Sequence, residues 1–377
     1  MTVPLGQPTV GEEELEAVRE VFASGWLSGA GPTSRAFESE LADAAGTAHA
    51  LATSNCGSAL HLAVKVLGAG PGDEVIVADY TFPATGHAVA WTGARPVFAD
   101  IRPDIWSVAP DSVESLISPR TAGIIAVDVA GQPADYEELG AVAARHGLWL
   151  IEDAACSSGA TYNGRPAGSL ADIATFSFHG RKVITAGEGG ALLTDNAAWD
   201  DRARKLHTYG TEPALGREGA SALPIPTFGE VGHNYRMSDV LAAIMRVQLR
   251  KLPALVAARA RAAASYRQLL GDVEEIVLPV ELPDRAHAWQ TYIATMAVGI
   301  DRDAVAMALR RDGIGCTFGT YASHLQGVYG HTDACPVSAD VLTRHLAIPM
   351  HANLTETQIE QVAGAVRRAV RDPANRT

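Results

Sequence analysis

Phe176-Ser177-Phe178-His179-Gly180-Arg181-Lys182-Val183-Ile184-Thr185-Ala186-Gly187-Glu188-Gly189-Gly190 reads as a strand that runs into a turn, with one lysine set among apolar residues and glycines. A lysine removed from water has a depressed pKa and can serve as nucleophile and base. The glycines let the backbone approach a flat ligand closely. The same stretch also fits an ordinary surface lysine beside a glycine turn. Its neighbours along the chain decide between the two readings.

Upstream, short apolar runs alternate with helical patterns. Candidate strands are Glu74–Ala78, Val97–Ala99, Ala122–Val127, Leu148–Glu152, Ile173–Ser177 and Ala191–Thr194. Leu60, Ala63, Val64 and Leu67 line one face of a helix, and Asp135–His146 reads as another helix that stops at Gly147. This alternation predicts an α/β domain with a mostly parallel sheet. Ligands of such sheets sit beyond the carboxyl ends of the strands. Pro213–Gly229 reads as an irregular excursion. A long helix starts at Ser238, with a break expected at Leu252-Pro253. A strand near Thr291–Ala297 and helices over Asp301–Arg311 and Thr355–Arg371 complete a smaller C-terminal α+β domain. The expected division is 1–250 for an N-terminal arm and large domain, and 251–377 for the small one.

Three further segments carry candidate chemistry. The strand Leu148–Glu152 continues into Asp153, which places carboxylates at a strand end. A carboxylate there can keep a heterocyclic ring nitrogen protonated, or simply cap the next helix. Ser54-Asn55-Cys56-Gly57-Ser58 opens a helix, whose free N–H groups suit an anion, although plain capping by Ser58 is equally compatible. The strand ending at Tyr80-Thr81-Phe82 brings an aromatic that could stack on a flat ring or sit in the core.

The order of these pieces along the chain is more specific than any one of them. An anion-binding helix start, an aromatic, a strand-end Asp, then Ser and Lys is the arrangement of fold-type-I enzymes that use pyridoxal 5'-phosphate (PLP). More narrowly, the chain resembles the DegT/DnrJ/EryC1/StrS family of sugar aminotransferases. The resemblance runs from Gly6-Gln7-Pro8 and Ser24-Gly25-Trp26-Leu27-Ser28-Gly29 through Pro71-Gly72-Asp73-Glu74-Val75 and Gly131-Gln132-Pro133. It continues with the Lys182 segment and Gly232-His233-Asn234-Tyr235-Arg236-Met237-Ser238-Asp239, and closes at Ile348-Pro349-Met350-His351.

That resemblance implies a PLP fold-type-I large domain. Lys182 would hold PLP as a Schiff base and shuttle protons, Asp153 would pair with the ring nitrogen, and Phe82 would stack on the ring. Gly57, Ser58 and Ser177 would hold the phosphate, and Asn234 would reach the phosphate of a neighbouring subunit in a homodimer. An amino acid donor, L-glutamate, would supply the amino group to a keto sugar carried on a nucleotide, in amino sugar or antibiotic biosynthesis. A cyclitol ketone is the alternative acceptor. Candidate acceptor contacts are Trp26, Leu27, Arg236, Tyr321 and His324. Three positions depart from the common family pattern. Cys156 stands where many members have Gln near the ring oxygen, Asp128 replaces a His, and Gly180 replaces a Pro, which should loosen the turn. A dehydratase on the same scaffold carries His in place of the lysine, so Lys182 argues against it. A degenerate, non-catalytic member would have lost Lys182 or Asp153.

Bulk properties set outer limits. The chain has 377 residues, 47% hydrophobic and 19% charged, as a protein with a large core does. A formal charge of −13 gives no overall field for nucleic acid or anionic membrane. Cys56, Cys156, Cys316 and Cys335 form no CxxC pair and no disulfide framework, and no metal site is expected. Met1–Val10 lacks a signal-peptide pattern, and no apolar run reaches membrane-span length. A cytoplasmic protein is expected.

Overall fold

The computed structural model describes residues 2–212, 225–330 and 334–376. Its helices are α1 (Glu12–Ser24), α2 (Pro32–Ala45), α3 (Cys56–Val66), α4 (Ala84–Trp91), α5 (Pro110–Leu116), α6 (Tyr136–His146), α7 (Ala197–Leu206), α8 (Asp239–Leu270), α9 (Arg302–Arg311), α10 (Pro336–Arg344) and α11 (Glu356–Arg371). The described residues build a seven-stranded sheet from β1 (His49–Thr53), β2 (Glu74–Ala78), β3 (Arg95–Ala99), β4 (Thr121–Val127), β5 (Trp149–Asp153), β6 (Ile173–Ser177) and β7 (Gly190–Thr194). The spatial order is β1-β7-β6-β5-β4-β2-β3, and only β7 runs against its neighbours. The α/β class and all six expected strands are present. β1 went unread, because His49-Ala50-Leu51-Ala52-Thr53 carries no β-branched run.

The strands are buried on both faces, and alternate residues serve different cores. Ile76, Ala78, Ile124, Ala126 and Leu150 pack with Tyr136, Leu139 and Val142 of α6. Val75, Val77, Ile125 and Ile151 pack with Leu60, Ala63 and Val64 of α3 and Leu206 of α7. The sheet is therefore held between helical layers, and the strand ends are the places left for a ligand.

A second, antiparallel sheet of β8 (Ile276–Val277), β9 (Tyr292–Met296) and β10 (His345–Ile348) lies in the C-terminal part. It shares a core with Val305 and Leu309 of α9, Val362 and Val366 of α11, and Tyr266 of α8. Val3 belongs to the same core. Its N–H donates to the Gly313 carbonyl at 2.9 Å, and its carbonyl accepts from the Gly315 N–H at 2.8 Å.

The break expected at Leu252-Pro253 is absent, and α8 runs unbroken through Pro253. Proline removes one helical donor and crowds the preceding turn, at about 3 kcal/mol. Here the ring sits on an exposed face, while Met245, Leu255, Ala262 and Tyr266 bury the opposite side. Burial of that stripe, at roughly 1.5–3 kcal/mol per large apolar side chain, outweighs the lost bond. Residue 251, where the chain was divided from sequence, lies inside this helix. Of the irregular stretch expected over 213–229, residues 213–224 lie outside the described residues. Thr211–Glu212 pairs antiparallel with Thr227–Phe228 at its ends.

Candidate active site

β1 delivers the chain to α3 at the carboxyl edge of the sheet. Asn55 is the N-cap, with extended backbone, and its side-chain oxygen accepts from the Ser58 N–H at 2.8 Å. Asn55 thus takes the capping role that the sequence reading offered to Ser58. The first backbone bond of the helix is Ala59 N–H to the Asn55 carbonyl at 3.2 Å. The N–H groups of Cys56 and Gly57 precede it and point out of the helix start, where an anion is favoured. The Ser58 hydroxyl lies 3.1 Å from that of Ser54. Gly190, the first residue of β7, sits against this helix start. A Cβ there would lie 2.5 Å from the Asn55 carbonyl carbon and 2.6 Å from the Cys56 nitrogen. Only glycine lets the sheet and the helix terminus come this close.

Asp153 ends β5 and is buried. Thr85 of α4 donates its hydroxyl to one carboxylate oxygen at 2.9 Å, and the Ala155 N–H donates to the other at 3.2 Å. Burial pushes the carboxyl pKa up, and these two donors with Lys182 pull it down without cancelling the rise. A cation facing Asp153 would favour its ionised form. Only folding brings Thr85, 68 residues earlier in the chain, to Asp153.

Lys182 follows β6 in a turn, and its N–H donates to the His179 carbonyl at 2.9 Å. The turn is closed by Gly180 N–H to Gly187 O at 2.9 Å and Thr185 Oγ1 to Phe178 O at 2.8 Å. A proline at 180 could not make the first of these bonds, so glycine here tethers the turn that was expected to be looser. The Lys182 Nζ donates to Cys156 Sγ at 3.1 Å. Burial would lower the ammonium pKa, but Cys156, Cys56 and Asp153 together outweigh it and hold the pKa above its ordinary value. This corrects the depressed value expected from sequence: the neighbouring thiols and carboxylate were not visible there. Cys56 Sγ lies 3.9 Å from Thr175 Oγ1, and its thiol pKa is raised by burial first and by Asp153 second.

Behind this cluster, Asp128 is fully buried. It accepts from Ser157 Oγ at 2.5 Å, Tyr136 Oη at 2.8 Å and Ala134 N–H at 3.0 Å. Its own N–H donates to the Asp153 carbonyl at 3.1 Å. The residue that replaces a family His therefore braces the turn after β5. Gln290, unread in the sequence, donates its amide to the Arg181 carbonyl at 2.6 Å, beside the lysine.

Ser177 is buried at the end of β6, with its hydroxyl 3.5 Å from the His179 nitrogen. Phe82 is 63% exposed and meets Tyr321 edge-on at 5.9 Å between centroids. The alternative of a core phenylalanine is thereby set aside. The Trp26-Leu27 loop and Arg236 are neighbours: a Cβ at Gly31 would meet the Trp26 ring at 2.3 Å, and one at Gly29 would meet the Arg236 Cβ at 2.8 Å. The Arg236 guanidinium lies 5.7 Å from the Tyr209 ring centroid. Asn234 is exposed, next to Tyr235, whose carbonyl accepts from the Ser54 N–H at 2.7 Å. His324 is in a different situation. It is buried, its N–H donates to Asp79 Oδ1 at 2.6 Å, and its Nδ1 lies 2.7 Å from Asp79 Oδ2. That nitrogen is committed to Asp79, so an acceptor contact by this side chain falls to Nε2.

The residues present fit PLP. Two free N–H groups and a serine hydroxyl face the place for a phosphate, a buried carboxylate waits for a ring cation, and a lysine amine lies between two strand ends. Among the described residues no helix is long and apolar enough to cross a membrane.

The family model of the DegT/DnrJ/EryC1/StrS aminotransferase family matches residues 8–367. Among solved structures, the chain is similar to the aminotransferase TlmJ from Streptoalloteichus hindustanus. Identity is 34% over 98% of this chain and 99% of that one, with a TM-score of 0.92. It is similar to DesV from S. venezuelae at 33% identity, over 95% of this chain and 94% of that one, with a TM-score of 0.88. Helicobacter pylori PseC, an aminotransferase involved in the biosynthesis of pseudoaminic acid, matches at 25% identity over 98% and 99%, with a TM-score of 0.91.

Proposed function

Because the chain belongs to the DegT/DnrJ/EryC1/StrS aminotransferase family, whose members use PLP, we propose that it moves the amino group of L-glutamate to the keto group of a nucleotide-linked keto sugar. The observation that carries this reading is the convergence at one sheet edge of the Lys182 amine, the buried Asp153 carboxylate and the open start of α3.

When bound, the cofactor supplies a conjugated ring that accepts the electron pair released at the substrate carbon. The remaining work falls to the chain. Cys56 and Gly57 N–H and the Ser58 and Ser177 hydroxyls would hold the phosphate with neutral donors. Asp153, oriented by Thr85 and Ala155, would keep a facing ring nitrogen protonated. Lys182 Nζ would take the proton from one substrate carbon and return it to another position, with Cys156 as its resting partner. Phe82 would cover the ring face. Trp26, Leu27, Arg236, Tyr321 and His324 are the acceptor contacts in this reading, with Arg236 able to meet a nucleotide phosphate. Asn234 reaches the phosphate site of a second copy, which makes the working unit a homodimer. The elements after residue 251, with Val3, act as a smaller α+β domain joined through α8. The product would serve amino sugar or antibiotic biosynthesis.

The test is spectral and then chemical. Purified protein should carry a visible PLP band that L-glutamate converts to the pyridoxamine band, and Lys182→Ala should lose that response. A panel of nucleotide-linked keto sugars and cyclitol ketones then identifies the acceptor. Amination of cyclitol ketones alone would replace the proposed acceptor, and a colourless protein would overturn the reading.

A further inference from the structure

We infer that Cys156 and Lys182 form a peroxide-sensitive covalent lock, in which oxidised Cys156 captures the Lys182 amine and closes the cofactor site. This rests on the reading of Lys182 as the lysine that holds the cofactor.

The geometry is that of a pair ready to react. Nζ lies 3.1 Å from Sγ, at contact distance, and both residues are half-buried and so within reach of a small oxidant. Cys156 is held in place from behind. Its neighbour Ser157 donates to Asp128 at 2.5 Å and to the Ala154 carbonyl at 3.4 Å, and a Cβ on Gly131 would lie 3.0 Å from the Cys156 carbonyl. Lys182 is held by the turn already described. Neither group needs a large movement to meet the other.

Peroxides oxidise a cysteine sulfur that they can reach, and Cys156 is half-buried rather than enclosed. In the first step the Cys156 sulfur takes one oxygen from hydrogen peroxide. The thiol becomes a sulfenic acid and the peroxide leaves as water. In the second step the neutral Lys182 amine attacks that sulfur. An S–N bond forms, the S–O bond breaks, and the hydroxyl leaves with an amine proton as a second water. The cysteine sulfur has been oxidised by two electrons and the peroxide reduced by two. A dithiol reverses the lock: it returns the thiol and the amine and becomes a disulfide.

The charge balance favours this order of events. Cys156 is the first of the neighbours that raise the Lys182 pKa against the burial that opposes the charged form. Conversion to a sulfenic acid removes that one contribution, which shifts Lys182 in the direction of the neutral amine that the second step needs. Cys56 is the competing nucleophile. Its sulfur is directed at Thr175, and burial and Asp153 hold it as the protonated thiol. The lock applies when Lys182 is free, in the cofactor-free protein or when the cofactor carries the amino group. A bound aldehyde cofactor protects the pair by occupying the amine.

The experiment treats cofactor-free protein with hydrogen peroxide and follows intact mass, peptide mapping and subsequent PLP uptake. The expected result is loss of two hydrogen atoms, a linked peptide pair joining residues 156 and 182, and about tenfold or lower visible PLP binding, restored by dithiol. Cys56→Ala should still form the link, whereas Cys156→Ala should not. A disulfide between Cys56 and Cys156, or sulfinic acid at Cys156 with Lys182 unmodified, would overturn the proposal. The visible spectrum of untreated protein stands apart: its absence would sink the cofactor reading, while the peptide map would still report on the pair.

Discussion

Gly190→Ala tests whether the start of α3 is the phosphate site. β7 cannot retreat to make room, because Gly190 is paired with Thr53 on one side and Ser177 on the other. The new Cβ would meet the Asn55 carbonyl carbon at 2.5 Å and the Cys56 nitrogen at 2.6 Å, so the helix start must withdraw by about 1 Å to restore ordinary contact. A shift of that size misaligns the Cys56 and Gly57 N–H groups. A hydrogen bond to a charged group contributes roughly 1.5–3 kcal/mol, and each ~1.4 kcal/mol is tenfold in binding. PLP affinity should therefore fall about 10- to 100-fold. The assay is titration of cofactor-free protein with PLP, followed by the visible band, with urea unfolding to confirm that the variant is folded. Gly140→Ala is the control of opposite sign. It lies within α6 with open space around it, and alanine there should add about 0.5–1 kcal/mol of stability and leave PLP binding unchanged. A folded Gly190→Ala protein with unaltered PLP affinity would refute the assignment of the phosphate to α3.

Asp128 gives a prediction with pH. Burial pushes its carboxyl up to about 7, and Asp153 adds to the rise against the donors Ser157, Tyr136 and Ala134. A raised acid stabilises the fold fully below its unfolded value of 3.8 and loses that contribution as pH climbs to about 7. Asp128→Asn cannot ionise, so its urea midpoint should gain on the wild type from about pH 4 to about 7 and then hold a constant difference; a flat difference throughout would contradict this. Pro253→Ala should stabilise the protein by up to about 3 kcal/mol, seen as a higher urea midpoint, since the exposed ring contributes no packing and only costs α8 a backbone hydrogen bond. Asp239→Ala should cost roughly 3 kcal/mol or more by the same measurement. The fully buried Asp239 carboxylate accepts from the N–H groups of Gly31, Thr33 and Ser34, all of which would be stranded.

Six of the seven main strands were legible because each is a short apolar run bounded by turn residues, and the order of the functional segments followed from that. β1 and the continuity of α8 were not. Both depend on partners far along the chain: β7 for the first, and the two cores that bury the inner face of α8 for the second. Among the site residues, Asp153 and Lys182 announced themselves by position at strand ends. The role of Thr85, 68 residues from Asp153, and the pairing of His324 with Asp79, 245 residues away, depend on contacts that no local pattern carries.

The Lys182 segment began as a lysine among glycines, and the sequence alone determined that it follows a strand and precedes a glycine-rich return. That much is local chain geometry. Tertiary structure decided what the lysine meets. Nζ rests on Cys156, beside Asp153 and below the start of α3, and these neighbours reverse the expected direction of its pKa. The reason is physical: burial is a property of the site, but the groups that answer it come from the ends of β5 and β1, which only the folded sheet brings to the end of β6.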